Sequence, residues 1–218
     1  MKKASMVVGL MLLLVTAGVS VAQQINTRNS RNSATTTIGV MSREEFRRLN
    51  ERGAAQIASV NPTRARLSQA DQDLMMQVAI GSMMQLEISR LAVRKASTEA
   101  VRQLAQAEVE EQAGLLAKLK ELARAKGSTL PAKPDAQIRS MISRINGMSG
   151  AAFDQMYMQE SGVKGHENLD RIMAKVESNA SDESLKNLAE AAHPLVKTHL
   201  QVARETLGQK SNNGTMSR

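Results

Sequence analysis

Residues Phe153–Met173, FDQMYMQESGVKGHENLDRIM, decide how the chain is read. The stretch has the length and spacing of a buried helix. Met156, Val163, Leu169, Met173 and Val176 stand three, four, six or seven residues apart and so share one face. His166 falls on that face, three residues from both Val163 and Leu169. A histidine in an apolar seam is either a hydrogen-bonded core residue or a ligand waiting for partners. The choice turns on what other helices bring to the same depth.

Working outward, the helix around this stretch is predicted over 151–179. A second helix, over 183–207, follows a cap at Ser181-Asp182-Glu183 and stops at Gly208. Its seam is Leu185, Leu188, Ala192, Leu195, His199 and Val202, and Pro194 inside it predicts a kink. Upstream, Ser68-Gln69-Ala70-Asp71 opens a helix to about Ala96 whose apolar residues include Leu74, Val78, Met84, Ile88 and Leu91. After the tight junction Ser97-Thr98-Glu99, another helix runs from about Glu99 to Lys126 along Val101, Leu104, Leu115, Leu119 and Leu122. Gly127 ends it. The connection 128–150 holds Pro131, Pro134 and a short helix over 135–146. Two long helical hairpins joined by one long connection are the layout of an all-α, ferritin-like four-helix bundle with one crossover.

The rest of the chain is polar or transient. Residues 1–22 have the charged start (Lys2, Lys3), the apolar run Met6–Val15 and the small residues of a secretory signal, with cleavage expected between Ala22 and Gln23. Residues 23–68 read as a disordered linker carrying one short polar helix over 43–57, opened by the capping box Ser42-Arg43-Glu44-Glu45. That helix is expected to lie on the bundle or to float. The bundle domain spans 69–208, and 209–218 is a polar tail. The expected place is outside the cytoplasm, periplasmic or secreted.

Composition excludes several classes. Aromatics make up 1% of the chain and methionines number 14, which suits a helical core and not a β-sheet one. There is no cysteine, so disulfides, thiolate metal sites, thiol catalysis and a lipoprotein anchor are excluded. The net charge of +8 invites nucleic acid as a partner, but the basic residues are scattered and have almost no aromatics among them to stack bases. Contact between the basic N-terminal arm and anionic envelope surfaces is the partner reading that remains. Glycine-rich phosphate loops, nucleophile elbows and His-Glu-x-x-His pairs are missing from the sequence.

Polar residues interrupt the apolar stripes of all four long helices. Glu87 lies four residues from Met83 and from Leu91; Glu111 and Gln112 follow Ala105 and precede Leu115; His166 and His199 sit in their own seams. Counted from one end of the bundle at about 1.5 Å per residue, these five fall within one or two turns of a common level. Buried and unpaired they would cost several kcal/mol, roughly. They must therefore meet each other, a water or a metal. Imidazole and carboxylate suit Fe, Mn, Zn or Cu better than Ca. A di-iron centre needs Glu from two helices and Glu-x-x-His from two others. Only Glu190–His193 has that spacing, and Glu190 has Lys186, Asn187, Pro194 and Lys197 as helical neighbours, so it faces water. A satisfied polar core and a metal or small-ligand site both stay open.

Glu87-Ile88-Ser89-Arg90-Leu91-Ala92, Lys118–Ala123 with Gly127 and Leu130-Pro131, Phe153-Asp154-Gln155-Met156-Tyr157-Met158 with His166, and His193-Pro194-Leu195 with His199-Leu200 resemble an exported bacterial family. It is the ferritin-like family called domain of unknown function 4142, often labelled as outer membrane protein. The resemblance covers about 70–207. Its most specific parts are the Phe-Asp-x-x-Tyr run and the late His-Leu. Such proteins usually carry Asp-His where this chain has Glu111-Gln112, and Gln is a poor metal ligand. The resemblance implies fold and export, and no reaction. The sequence thus predicts an exported bundle, non-enzymatic or of unknown activity, either holding a metal ion at mid-bundle or serving as a structural module of the envelope.

Overall fold

The computed structural model describes residues 37–215, with side chains described to residue 208. The expected signal, its cleavage point and the linker up to residue 36 lie outside the described residues. A two-residue antiparallel hairpin comes first, β1 (Thr37–Ile38) against β2 (Met41–Ser42), turning through Gly39 at φ +60°. Helix α1 (Arg43–Ser59) starts at once, its Glu45 N–H donating to Ser42 Oγ. It does not float. Phe46 and Ile57 are buried, and α1 packs over α3 and α7. Gly53 permits this approach, because a Cβ there would stand 2.7 Å from Leu195 Cδ2.

The bundle proper is α2 (Gln69–Lys95), α3 (Glu99–Ala125), a third long helix and α7 (Glu183–Thr215). Between α3 and the third helix, the connection carries α4 (Ala136–Asn146), capped by Asp135. The third helix is continuous but composite: α5 (Gly150–Tyr157), a π-helical segment over Met158–Gly165, and α6 (His166–Asn179). This changes the seam read from Phe153–Met173. The wider π turns put Met158, Ser161, Gly162 and Gly165 inward, and leave Met156 and Val163 half-buried. Helix α7 runs through Pro194 unbroken, and through Gly208 as well, since Gly208 does not take the left-handed conformation that ends a helix.

Two carboxylates fix the helix order. Asp154, at the start of α5, accepts from the N–H and hydroxyl of both Ser97 and Thr98 at the α2–α3 corner, at 2.8–3.1 Å. Asp71, at the start of α2, accepts from Ser181 N–H and Oγ at the α6–α7 corner, at 2.9 and 2.6 Å. Hence the third helix starts beside the start of α3, and one long connection must travel the length of the bundle. At the Asp71 end, buried Lys126 donates to Asp182 Oδ2 (2.5 Å) and Thr63 Oγ1 (2.9 Å), tying α3 to the loop before α2 and to the cap of α7.

The core has two halves. One holds Leu74, Val78, Leu115, Leu119, Leu169, Met173, Leu188 and Ala192; the other holds Ile88, Val101, Leu104, Phe153, Met158 and Val202. Along α3, the third helix and α7, a polar residue or a run of them separates the two halves: Glu108, Glu111 and Gln112; Ser161 and His166; His199. Buried Ser82, Gln85 and Ser89 of α2 join the same layer. The polar layer lies across the middle of an otherwise apolar bundle. Among the described residues, no helix is long and apolar enough to cross a membrane.

Candidate metal centre

Heptad spacing on α3 brings Glu108, Glu111 and Gln112 onto the face that also buries Leu104 and Leu115. All three are buried. Opposite, His166 is the first residue after the π-helical segment and is buried in the same layer. His199 enters from α7, edge-on to His166 with ring centroids 5.6 Å apart. One ligand atom each from Glu111, His166 and His199 lie within 4.8 Å of one another.

Asn50 selects the tautomer of the neutral His199 ring. Asn50, from α1, donates its Nδ2 to the Phe46 carbonyl (2.8 Å), which turns its Oδ1 toward His199 Nε2 at 2.7 Å. Nε2 therefore carries a proton and donates. Nδ1 faces Glu111 Oε2 at 2.7 Å, and neither atom has another polar partner. Burial disfavours the imidazolium, but the Glu111 carboxylate, with Glu108 further off, outweighs it and raises the His199 pKa above the ordinary value. The position between Glu111 and His199 thus calls for a positive charge, a proton or a metal ion.

His166 is held from its other side. Its Nδ1 lies 3.1 Å from the Ser161 carbonyl and 2.9 Å from Gln85 Nε2. Gln85 also donates to the Ser161 carbonyl (3.0 Å) and accepts from Ser161 Oγ (2.9 Å). Gly165 makes room for this amide, since a Cβ there would collide with it. Nδ1 can donate to the carbonyl or accept from the amide; either way, Nε2 faces the layer with no hydrogen-bond partner. A metal at Nε2 would select the first tautomer, with the backbone carbonyl as its orienting group.

Glu108 is the carboxylate behind the cluster. Its Oε2 accepts from Ser89 Oγ (2.5 Å) and Tyr157 Oη (2.7 Å), while Oε1 is unpartnered, 3.7 Å from His166 Nδ1. Burial first, then Glu108, pushes the Tyr157 pKa well above 10, so the phenol stays a donor. Unpartnered buried atoms gather here: both Glu111 oxygens, Glu108 Oε1, His166 Nε2, His199 Nδ1 and both amide atoms of Gln112. Among the described residues, the ion-pair partners of Glu108 and Glu111 are these two histidines, with no Lys or Arg. Two buried carboxylates without a fixed cation leave a charge that a divalent ion would neutralise.

Of the residues singled out from sequence, Glu111, His166 and His199 converge, and Gln112 is buried beside Glu111. Glu87 is not among them. It is exposed and paired with Arg90 one turn on (3.1 Å), because the inward stripe of α2 is Val78, Ser82, Gln85 and Ser89, and Met83 and Glu87 lie to its side. Sequence reasoning missed Glu108, Gln85, Tyr157 and Asn50 as participants. Glu108 had a signal, seven residues from both Val101 and Leu115. Asn50, on a mostly polar helix, had none.

A buried cluster of two histidines and a carboxylate, in the polar mid-layer of an all-α bundle, is the class of site that the geometry defines. The profile described as "Domain of unknown function (DUF4142)" matches residues 56–206, and the chain belongs to that family. No curated protein and no solved structure matches it. The family match places Glu108, Glu111, His166 and His199 inside the domain and leaves Asn50, on α1, just before it.

Proposed function

We propose that this protein is an exported, ferritin-like bundle that binds one divalent transition-metal ion at mid-bundle, through a Glu111 oxygen, His199 Nδ1 and His166 Nε2. The observation that carries the reading is the Glu111–His199 contact. Asn50 leaves Nδ1 without a proton in the neutral ring, 2.7 Å from a carboxylate oxygen. Two lone pairs this close suit two ligands of one ion. Two histidines and a carboxylate are the donor set of mononuclear Zn and non-haem Fe(II) sites, so these two ions are the first candidates. Gln112 replaces no ligand in this arrangement. No reaction is assigned, and the histidines' burial favours retention of the ion over turnover.

A second reading has its own support. An imidazolium at His199 would pair with Glu111, and the polar layer would then fix helix register in a metal-free structural module of the envelope. The raised His199 pKa favours it. It leaves His166 Nε2 and one Glu111 oxygen unsatisfied. Elemental analysis of the chain purified without chelator decides between the two. We expect about one equivalent of metal per chain in the wild type, by the single-ion arrangement of the donors, and loss of it in His166→Ala and His199→Ala. A wild type that is metal-free and refuses Zn, Fe, Mn and Cu would leave the structural reading standing.

A further inference from the structure

A second concave site lies away from the metal cluster and includes none of its residues. The connection from Ser128 to Pro134 arches over the outer faces of α2 and α3 and encloses a cleft of about 870 Å³. That volume is within the range of small-molecule pockets, roughly 300–1,000 Å³. Its interior is apolar: Leu86, Leu116 and Ala123 are buried there, and Met83, Leu130 and Ile142 are half-buried around them. Its rim is basic. Arg90, Lys120, Arg124, Lys133 and Arg139 line it, against Glu87 as the one carboxylate, which Arg90 already holds.

Some basic side chains of this surface pair with acids: Arg47 with Glu44 and Glu51, Arg102 with Glu99, Lys164 with Glu160, Arg204 with Glu167. Among the described residues, Lys120, Arg124 and Lys133 are three of those without an acidic partner, and the three line one cleft. Lys120 and Arg124 stand one turn apart on α3, and Lys133, on the connection, lines the same cleft. Unmatched cations around an apolar hollow complement a molecule with an anionic head and a hydrocarbon body. An uncharged apolar ligand would leave the rim unused, and a small inorganic anion would leave the interior unused.

We propose that the cleft binds a single-chain anionic amphiphile, its carboxylate or phosphate head held by Lys120, Arg124 and Lys133 and its chain laid over Met83, Leu116, Leu130 and Ile142. The proposal is independent of the metal site.

Calorimetric titration of the purified full chain tests it, with dodecanoate, dodecyl phosphate and dodecanol below their aggregation concentrations as probes. Expected are saturable one-to-one binding of the two anions and binding of dodecanol at least about tenfold weaker, the loss of one charge-assisted contact. The exposed pair Lys120→Glu with Arg124→Glu should weaken the anions by about tenfold or more while circular dichroism stays unchanged. Leu130→Asp, on the connection, should weaken all three probes. Preference for one head group assigns the source, fatty acid or monoacyl phosphate, and supports the shared chemistry. No binding, binding equal for dodecanol, or binding indifferent to the charge reversal in a folded variant would overturn it.

Discussion

Asn50 is the residue on which the site's chemistry turns, although it touches no ligand position. By accepting from His199 Nε2 it leaves Nδ1 as the free ring nitrogen. Groups that orient metal-bound histidines typically contribute 10–100-fold, roughly, in affinity. Asn50→Ala should therefore weaken metal binding by about that factor in a chelator-competition titration. It should leave the stoichiometry unchanged; an unchanged affinity would mean that the tautomer is set elsewhere. The Phe-Asp-x-x-Tyr run acquires a physical meaning at the same scale. Phe153 is buried in one core half, Asp154 clamps the α2–α3 corner, and Tyr157 holds Glu108 behind the cluster. His166 and His199 were legible from sequence because each interrupts an apolar stripe. The sequence spacing of Met83, Glu87 and Leu91 points Glu87 inward, but the structure exposes it. Met83 in fact faces the basic cleft, while the true inward positions Ser82, Gln85 and Ser89 are small or polar and carry no hydropathy signal.

At the scale of elements, the long helices were legible because their apolar residues repeat at helical spacing and their ends carry caps at Ser68, Gly127 and Asp182. The π-helical segment was not. Its two glycines, Gly162 and Gly165, are the local trace of it, and their use appears only once Ala203 and Gln85 press against them. A π segment amounts to extra chain within an α-helix, and such segments recur at functional sites. Deleting Val163 should convert the segment toward regular α-helix and turn the residues before it by about 100° relative to His166, the angle of one residue at 3.6 per turn. The fold should survive with its helical circular dichroism intact, while bound metal falls to near zero by elemental analysis. Retention of the metal would show that the segment does not aim His166. The connection over 128–150 was legible as long and proline-bearing, but its role as the wall of a cleft needs the packed faces of α2 and α3 to be seen.

Across the whole molecule, two apolar halves stabilise the bundle on either side of a polar layer, while carboxylate clamps fix the corners at both ends. The Asp71 clamp gives a pH dependence. Burial raises its pKa, but hydrogen bonds from Ser181 and Ser68 outweigh burial and leave it below the ordinary 3.8. A depressed folded-state pKa means stability that is fully present above the unfolded value and lost as pH falls through the folded one. Wild type should therefore lose stability on acidification below about pH 4, near the unfolded value. Asp71→Asn should be weaker at neutral pH by on the order of 1–3 kcal/mol and flatter in acid, as read by urea unfolding across pH. A variant as acid-sensitive as the wild type would remove Asp71 from the account. The central claim, one ion among Glu111, His166 and His199, is tested most directly by anomalous X-ray diffraction from crystals grown with Zn or Fe(II), recorded at each metal's absorption edge. The account predicts one strong anomalous peak in the mid-bundle layer, within bonding distance of a Glu111 oxygen, His199 Nδ1 and His166 Nε2. A layer without a peak, with Glu111 and His199 sharing only a proton, would contradict it.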